Sequence, residues 1–434
     1  MRRIIFFFED EQVENFYPLS LSHTPAEFLC GILSLGDKWT ARLDHDEFRL
    51  IVRDYLALYL AENLQRKVND FDLGDFDEAL FINPGFVATD ELTELITEQA
   101  EDQVLRAGGK LVLLRKTIDG HAAAQIRELG KDTSPAAVLR VLNTLAEKIT
   151  PHEAKVRRID YLWDLVHANS KEIEYDFQLL IPDLNFSDIY QNAEIDEDCL
   201  IYNEDDVYIG RDTRIDGQVV IDARSGPVYI GESVIISPHT RVEGPAYIGD
   251  FCQLVGGKVR TGCSFGPHCR VGGEVEESVF LGYSNKYHEG FIGHAYVGEW
   301  VNFGALTTNS DLKNNYGEIK VELPQGLLKT GQNKVGSFVG DHTKTGIGTL
   351  LTTGMVLGYS ANLFGGGLAG GRFLPSFMWG GKDGFVDYAV EKAIETAQVV
   401  KSRRGREFTT ADGALFRKIF AMTAAQRAGW KAKE

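Results

Sequence analysis

Basic residues are in short supply here: 45 Lys and Arg stand against 63 Asp and Glu, a formal charge of −18 over 434 residues. Phosphate backbones need a basic surface, so nucleic acid is excluded as the main partner. Cysteine is scarce as well. The five (Cys30, Cys199, Cys252, Cys263, Cys269) are odd in number and form no Cys-x-x-Cys pair. That argues against a disulfide framework or a zinc ribbon and for buried, reduced thiols, with no metal site expected. No apolar run is long enough to cross a bilayer. The opening stretch carries Arg2, Arg3 and five apolar residues before Glu9 and Asp10, too few for a secretory signal. It is expected to be the first β-strand of a cytoplasmic protein with no membrane partner. Hydrophobic residues make up 44% and charged ones 25%, which excludes wholesale disorder.

Glycine is nearly absent from the first 180 residues, which hold only eight of the 45. A composition shift this sharp marks a change of architecture. The glycine-poor part alternates strand-like runs (Ile4–Phe8, Phe48–Val52, Ala79–Ile82, Lys110–Leu114) with helical stretches. Ser134-Pro135 opens one helix with Pro in its first turn, and Arg158–Leu179 reads as a long amphipathic helix. The expectation is an α/β layer domain over 1–180 with a largely parallel sheet.

The glycine-rich part has a period of six. Ile209, Ile215 and Ile221 are six apart, as are Ile230, Ile236, Val242, Ile248 and Leu254. Val259, Phe265 and Val271 continue in a shifted frame, then Phe291, Val297 and Phe303, and finally Val339, Thr345, Leu351, Leu357 and Leu363. Neither a helix nor a single strand explains this spacing, whereas a hexapeptide β-helix does, with one aliphatic per hexad stacked inward. Glycine follows many of these slots and is expected at the tight corners. The coil is assigned to 190–380 and a helical tail to 381–434, with helices over 383–401 and 413–428. Thr307–Lys334 breaks the hexads and reads as a loop thrown out from the coil, and long loops in compact folds tend to be functional.

Coils of this kind are left-handed β-helices, typical of acyltransferases that use acetyl-CoA. Lys286–Gly293 and Val297–Ala305 resemble the bifunctional N-acetylglucosamine-1-phosphate uridyltransferase/glucosamine-1-phosphate acetyltransferase family. The whole chain resembles that family's sugar nucleotidyltransferase relatives, through Tyr17–Pro25, Phe81–Gly85 and 160–179. The resemblance implies an α/β nucleotidyltransferase-like domain, then the left-handed β-helix, in a homotrimer. It implies acetyl transfer to the amine of a sugar phosphate or nucleotide sugar. His288 falls at the general-base position, where a side chain titrating near neutrality suits removal of an ammonium proton. Asn302 matches a sugar-binding asparagine and the Ala305 N–H an oxyanion donor. Lys286, Phe291 and Lys313 fall where the substrate binds, and Gly340, Asp341 and Tyr359 join Ala305 where the cofactor acetyl-CoA would lie. Phe291 replaces a tyrosine, and Glu276 or a neighbour within Glu274–Glu277 replaces a phosphate-binding lysine, so the acceptor need not be glucosamine-1-phosphate.

The first domain lacks the glycine-rich triphosphate cradle of a nucleotidyltransferase. Glu9-Asp10-Glu11 follows its first strand instead, no glycine precedes Gly31, and Thr24 stands where an arginine is expected before Pro25. Asp10 and Glu11 are read as solvated loop acids rather than magnesium ligands. Mg2+ is expected only if this domain is active. The tail 401–434 is basic, and in the resembled family basic C-terminal residues meet coenzyme A phosphates. Two alternatives stay open: a sugar-1-phosphate nucleotidyltransferase, and a non-catalytic trimeric scaffold.

Overall fold

The computed structural model describes residues 2–97, 101–181 and 192–431. The expected boundary between the first two domains, at 180–190, lies largely outside them. The chain forms two compact units. One comprises 1–16, 22–28 and 33–160, and the other 17–21, 29–32 and 161–434.

In the first unit, strands β1 (Arg3–Phe8), β2 (Glu47–Ile51), β3 (Glu78–Ile82), β4 (Gln103–Ala107), β5 (Lys110–Thr117) and β6 (Pro151–Glu153) form one sheet in the order β2-β1-β3-β5-β4-β6. The central strands carry buried apolar runs, Ile4–Phe8, Ala79–Ile82 and Leu111–Leu114, as expected of strands covered on both faces. Helices α1 (Gly120–Glu128) and α2 (Pro135–Ala146) bury Ala122, Ile126, Val138, Leu142 and Leu145 against Phe6, Phe8 and Phe81. The sheet is mixed, which corrects the expectation of a largely parallel one. β4 and β5 are joined through Gly108 and Gly109 alone, at φ 57° and 78°, a two-residue hairpin turn far too short for a crossover. β3–β5 and β4–β5 therefore run antiparallel.

The second unit is the coil, a left-handed parallel β-helix. Its three faces are a nine-stranded sheet running from Val207–Ile209 to Phe373–Leu374, a face containing Asn285–Lys286, and a face containing Phe291–Gly293. One continuous core fills it, from Ile209, Ile230 and Ile248 up to Leu357, Leu363 and Leu374. The inward residue at one level is Ile292, not Phe291, which faces outward beside Glu274. The glycines after the aliphatic slots serve a different purpose from the one expected. A Cβ on Gly210 would stand 2.5 Å from the Gly231 carbonyl carbon, and one on Gly340 2.8 Å from the Tyr359 nitrogen. They allow coils to approach closely, and the left-handed corners lie two residues further on, at Phe251, His268, Trp300 and His342 (φ 59–60°).

Helix α3 (Leu162–Leu180) belongs to the coil's unit. Ile173 and Phe177 pack against the stacked tyrosines Tyr208, Tyr229 and Tyr247. The expected helix over 383–401 starts later. Gly384–Asp387 turns back as a strand on Met378–Gly381, and the helix α4 spans Val390–Ser402. The second expected helix is two, α5 (Thr410–Met422) and α6 (Ala424–Lys431), with a break at Thr423.

Candidate functional site

His288 stands exposed at the corner between the Asn285 face and the Phe291 face. The Tyr287 ring meets it edge-on at 5.3 Å. Its turn is fixed from inside. Lys286 takes an inward slot, stacked on Val271, and its ammonium donates to the carbonyls of Gly272 (3.1 Å) and His288 itself. Burial pulls that ammonium down to about 8. Lys286 is thus a buried tether, and the substrate-binding role expected of it has no side chain at the surface.

Gly290 closes the same turn at φ 125°, and a Cβ there would meet the Thr307 carbonyl oxygen at 2.2 Å. Only glycine fits so close an approach. The Leu306 N–H donates to the Glu289 carbonyl (2.7 Å), which brings Ala305 over His288 in the next coil. The Ala305 carbonyl accepts from Gly348 N–H (2.8 Å). Asn302 lies on the adjacent face, stacked between Asn285 and Lys344. Its Oδ1 accepts from Asn285 Nδ2 (3.3 Å), and Asn285 Oδ1 accepts from Arg404 of the C-terminal tail (2.6 Å). His288, Ala305 and Asn302 therefore share one edge and its neighbouring face.

The other expected site residues are placed elsewhere. Phe291 is half-buried on the outer surface, its N–H bonded to Thr308 Oγ1 (3.3 Å). Lys313 is held within the extruded loop by the Glu318 carbonyl (2.5 Å). Gly340, Asp341 and Tyr359 are buried between coils. Asp341 accepts the Glu299 N–H (2.8 Å), and Tyr359 packs on His342, Phe377 and Phe416. The cofactor role expected of these three has no exposed side chain. Exposed apolar residues run on past Ala305 instead: Ile347 (72% exposed), Leu350, Phe364 and Leu368.

Sequence reasoning missed a second pair. His294 is buried at the next corner, and its Nδ1 lies 2.8 Å from Asp311 Oδ2. Burial would raise the Asp311 carboxyl, but the His294 hydrogen bond and charge hold it below the usual range. The legible signal was the spacing of seventeen, one coil, between the two residues. His294 and His288 occupy different corners, and among the described residues no three His, Cys, Asp or Glu side chains are grouped to hold a metal.

In the first unit Glu11 is exposed, as expected of a solvated loop acid, but Asp10 is held in an ion pair, contrary to expectation. Glu9 is buried and bound by Arg53 (2.9 and 3.1 Å). Asp10 accepts from Arg158 (2.6 Å) and Asn83 (2.9 Å). These pairs occupy the carboxyl ends of β1 and β3, where open α/β sheets bind ligands. Two arginines are present after all, supplied from far along the chain.

Residues 5–183 match the family model described as sugar nucleotidyl transferase. A bifunctional sugar-1-phosphate nucleotidylyltransferase/acetyltransferase of Sulfurisphaera tokodaii is 34% identical over 93 residues, 21% of this chain and 23% of that one. A bifunctional protein GlmU of Methylibium petroleiphilum is 30% identical over 180 residues, 40% of this chain and 34% of that one. Residues 5–183 are thus similar to sugar nucleotidyl transferases, and stretches of the chain are similar to GlmU-type bifunctional proteins. The chain spans about a quarter to a third of the length of those GlmU-like relatives. Among solved structures, LpxA from Acinetobacter baumannii matches over 54% of this chain and 92% of its own, at 12% identity and a TM-score of 0.23. A score that low carries no argument. No helix among the described residues is long and apolar enough to cross a membrane.

Proposed function

We propose that the coil transfers an acetyl group from acetyl-CoA to the amine of a phosphorylated or nucleotide-linked sugar. The observation that carries this reading is the stacking of Ala305 over the exposed His288, with Asn302 on the adjoining face. In the reaction the sugar nitrogen attacks the thioester carbonyl carbon. His288 takes the proton that the nitrogen sheds, and the Ala305 N–H donates to the oxyanion. Collapse breaks the carbon–sulfur bond, and the coenzyme A sulfur leaves and is protonated, giving an amide and a free thiol. Ile347 and Phe364 extend from Ala305 as an apolar strip suited to the pantetheine arm. The site is an outer edge of the coil, so we take the working form to be a homotrimer in which a second copy covers that strip. The test is release of free thiol and formation of an amide when the full chain meets acetyl-CoA and a panel of amino-sugar phosphates and nucleotide-linked amino sugars. No turnover with any acceptor sinks the reading.

A second reading, sugar-1-phosphate nucleotidyl transfer in the first unit, is favoured by the family model over 5–183. Arg158 adds to it, because its Nη1 is buried without a hydrogen-bond partner at the ligand-binding end of the sheet. Against it, the position of the phosphate cradle is taken by the Glu9–Arg53 and Asp10–Arg158 pairs. Magnesium belongs only to this second reading.

A further inference from the structure

Arginines on the coil are as a rule paired. Arg211 binds Glu232, Arg224 and Arg241 share Asp222, and Arg260 bridges Glu243 and Glu274. One group breaks the rule. Arg270 projects from the Asn285 face, directly below Asn285, and its buried Nε has no hydrogen-bond partner. Arg404 reaches the same face from the tail, bonded to Asn285. Arg406 lies beside them, its Nε on the Tyr283 hydroxyl (2.9 Å). Among the described residues no carboxylate forms a salt bridge with any of the three. The charges of Asp250 and Glu299 are felt at His268 and Tyr283, beside these arginines. Arg404 is less basic than a free arginine, through burial and then the charge of Arg270. Two half-buried like charges left together in a chain of −18 are stabilised when an anion joins them.

A second feature adjoins the arginines. At the corner before this face, Phe251, His268, Tyr283 and Trp300 stack as a ladder, with centroids 4.7, 4.8 and 4.2 Å apart and planes within 16°. Burial and the nearby Arg406 and Arg404 hold His268 below its ordinary value, which keeps the ladder neutral. Its upper end is covered by α5, whose Phe416 packs on His342. Its lower end is open: the next corner down is Ser233, and Phe251 is 50% exposed. A flat ring can extend the stack there.

We propose that the Asn285 face binds a nucleotide, the base stacking on Phe251 and the phosphates lying between Arg270, Arg404 and Arg406. This goes beyond the acetyl-transfer reading and, where it bears on the acceptor, rests on it. Arg270 is one coil below and three residues before His288, about 11 Å at strand and coil spacings. That is the span of a sugar joined through its phosphates to a nucleoside. Asn302, two coils above Arg270, then meets the sugar, and the amine reaches His288. The acceptor is a nucleotide-linked amino sugar rather than a bare sugar phosphate.

Uridine diphosphate has no amine to acylate, so it tests the site without the chemistry. It is titrated by calorimetry into the full chain, Arg270→Gln and Phe251→Ala. Both side chains face outward, and matched melting curves confirm folding. The expected result is binding that weakens as salt rises and falls about tenfold or more in each variant. Acetyl transfer should then show a lower KM for a uridine-diphosphate-linked amino sugar than for glucosamine-1-phosphate, with that advantage lost in Arg270→Gln. Absent binding, or binding indifferent to both substitutions, overturns the nucleotide site whatever the transfer assay gives. Binding that depends on both residues beside a silent transfer assay keeps the nucleotide site and overturns the acetyl-transfer reading.

Discussion

Replacing Lys286 by Met should make the protein more stable and less active. Lys286 is 1% exposed in a slot that other coils fill with aliphatics. Burial moves its ammonium from 10.5 to about 8. At about 1.4 kcal/mol per pH unit, holding that charge at neutral pH costs on the order of 3 kcal/mol. Met keeps the volume and removes the charge, but it also removes the donor from the carbonyls of Gly272 and His288. Each such bond contributes about 1 kcal/mol, so the net gain is about 1–2 kcal/mol. The sign with pH follows from the direction of the shift. The folded value lies below the unfolded one, so the penalty is complete below pH 8 and fades as pH rises toward 10.5. The wild type gains stability across that window and the Met variant does not. Urea denaturation at pH 7 and pH 10 reads both effects. A Met variant less stable at pH 7, or a gap that fails to narrow at pH 10, would refute the reasoning. Acetyl transfer should fall despite the firmer fold, because the His288 turn has lost its internal anchor.

Sedimentation equilibrium should return three copies of the 48.3 kDa chain, and a monomer at micromolar concentration would contradict the assembly. Calorimetry with uridine or thymidine triphosphate and magnesium should detect no binding that depends on Arg53 or Arg158, since Glu9 and Asp10 already occupy those arginines. Arg158-dependent tight binding would promote nucleotidyl transfer. Gly290→Ala should lower both the melting temperature and transfer, because its Cβ would run into the Thr307 carbonyl. A variant that matches the wild type in both would show that the turn relaxes freely.

The hexads made the coil legible because one aliphatic per face is a requirement of the stack, and Ile209 through Leu363 meet it almost without exception. The frame fails where the coil shortens. Lys286 takes an inward slot that no hydrophobic pattern marks, and its neighbour Ile292, not Phe291, is the core residue. His288 and Ala305 were found through resemblance, and their stacking follows from a spacing of one coil. Arg53 and Arg158 were not legible as partners of Glu9 and Asp10, since 44 and 148 residues separate them. The Arg270–Arg404 group was hidden for the same reason: its members meet only when the tail folds back on the coil.

The central claim is that His288 is the base of an acetyl transfer on this edge, and one comparison tests it most directly. Acetyl transfer by His288→Ala is measured against the wild type, with acetyl-CoA binding and the melting curve followed on the same samples. The side chain is exposed and outside the stacked core, so melting and acetyl-CoA binding should match the wild type. Transfer should drop by roughly two to four orders of magnitude, the usual contribution of a positioned base. Transfer at the wild-type rate in a folded variant that still binds acetyl-CoA would contradict the account.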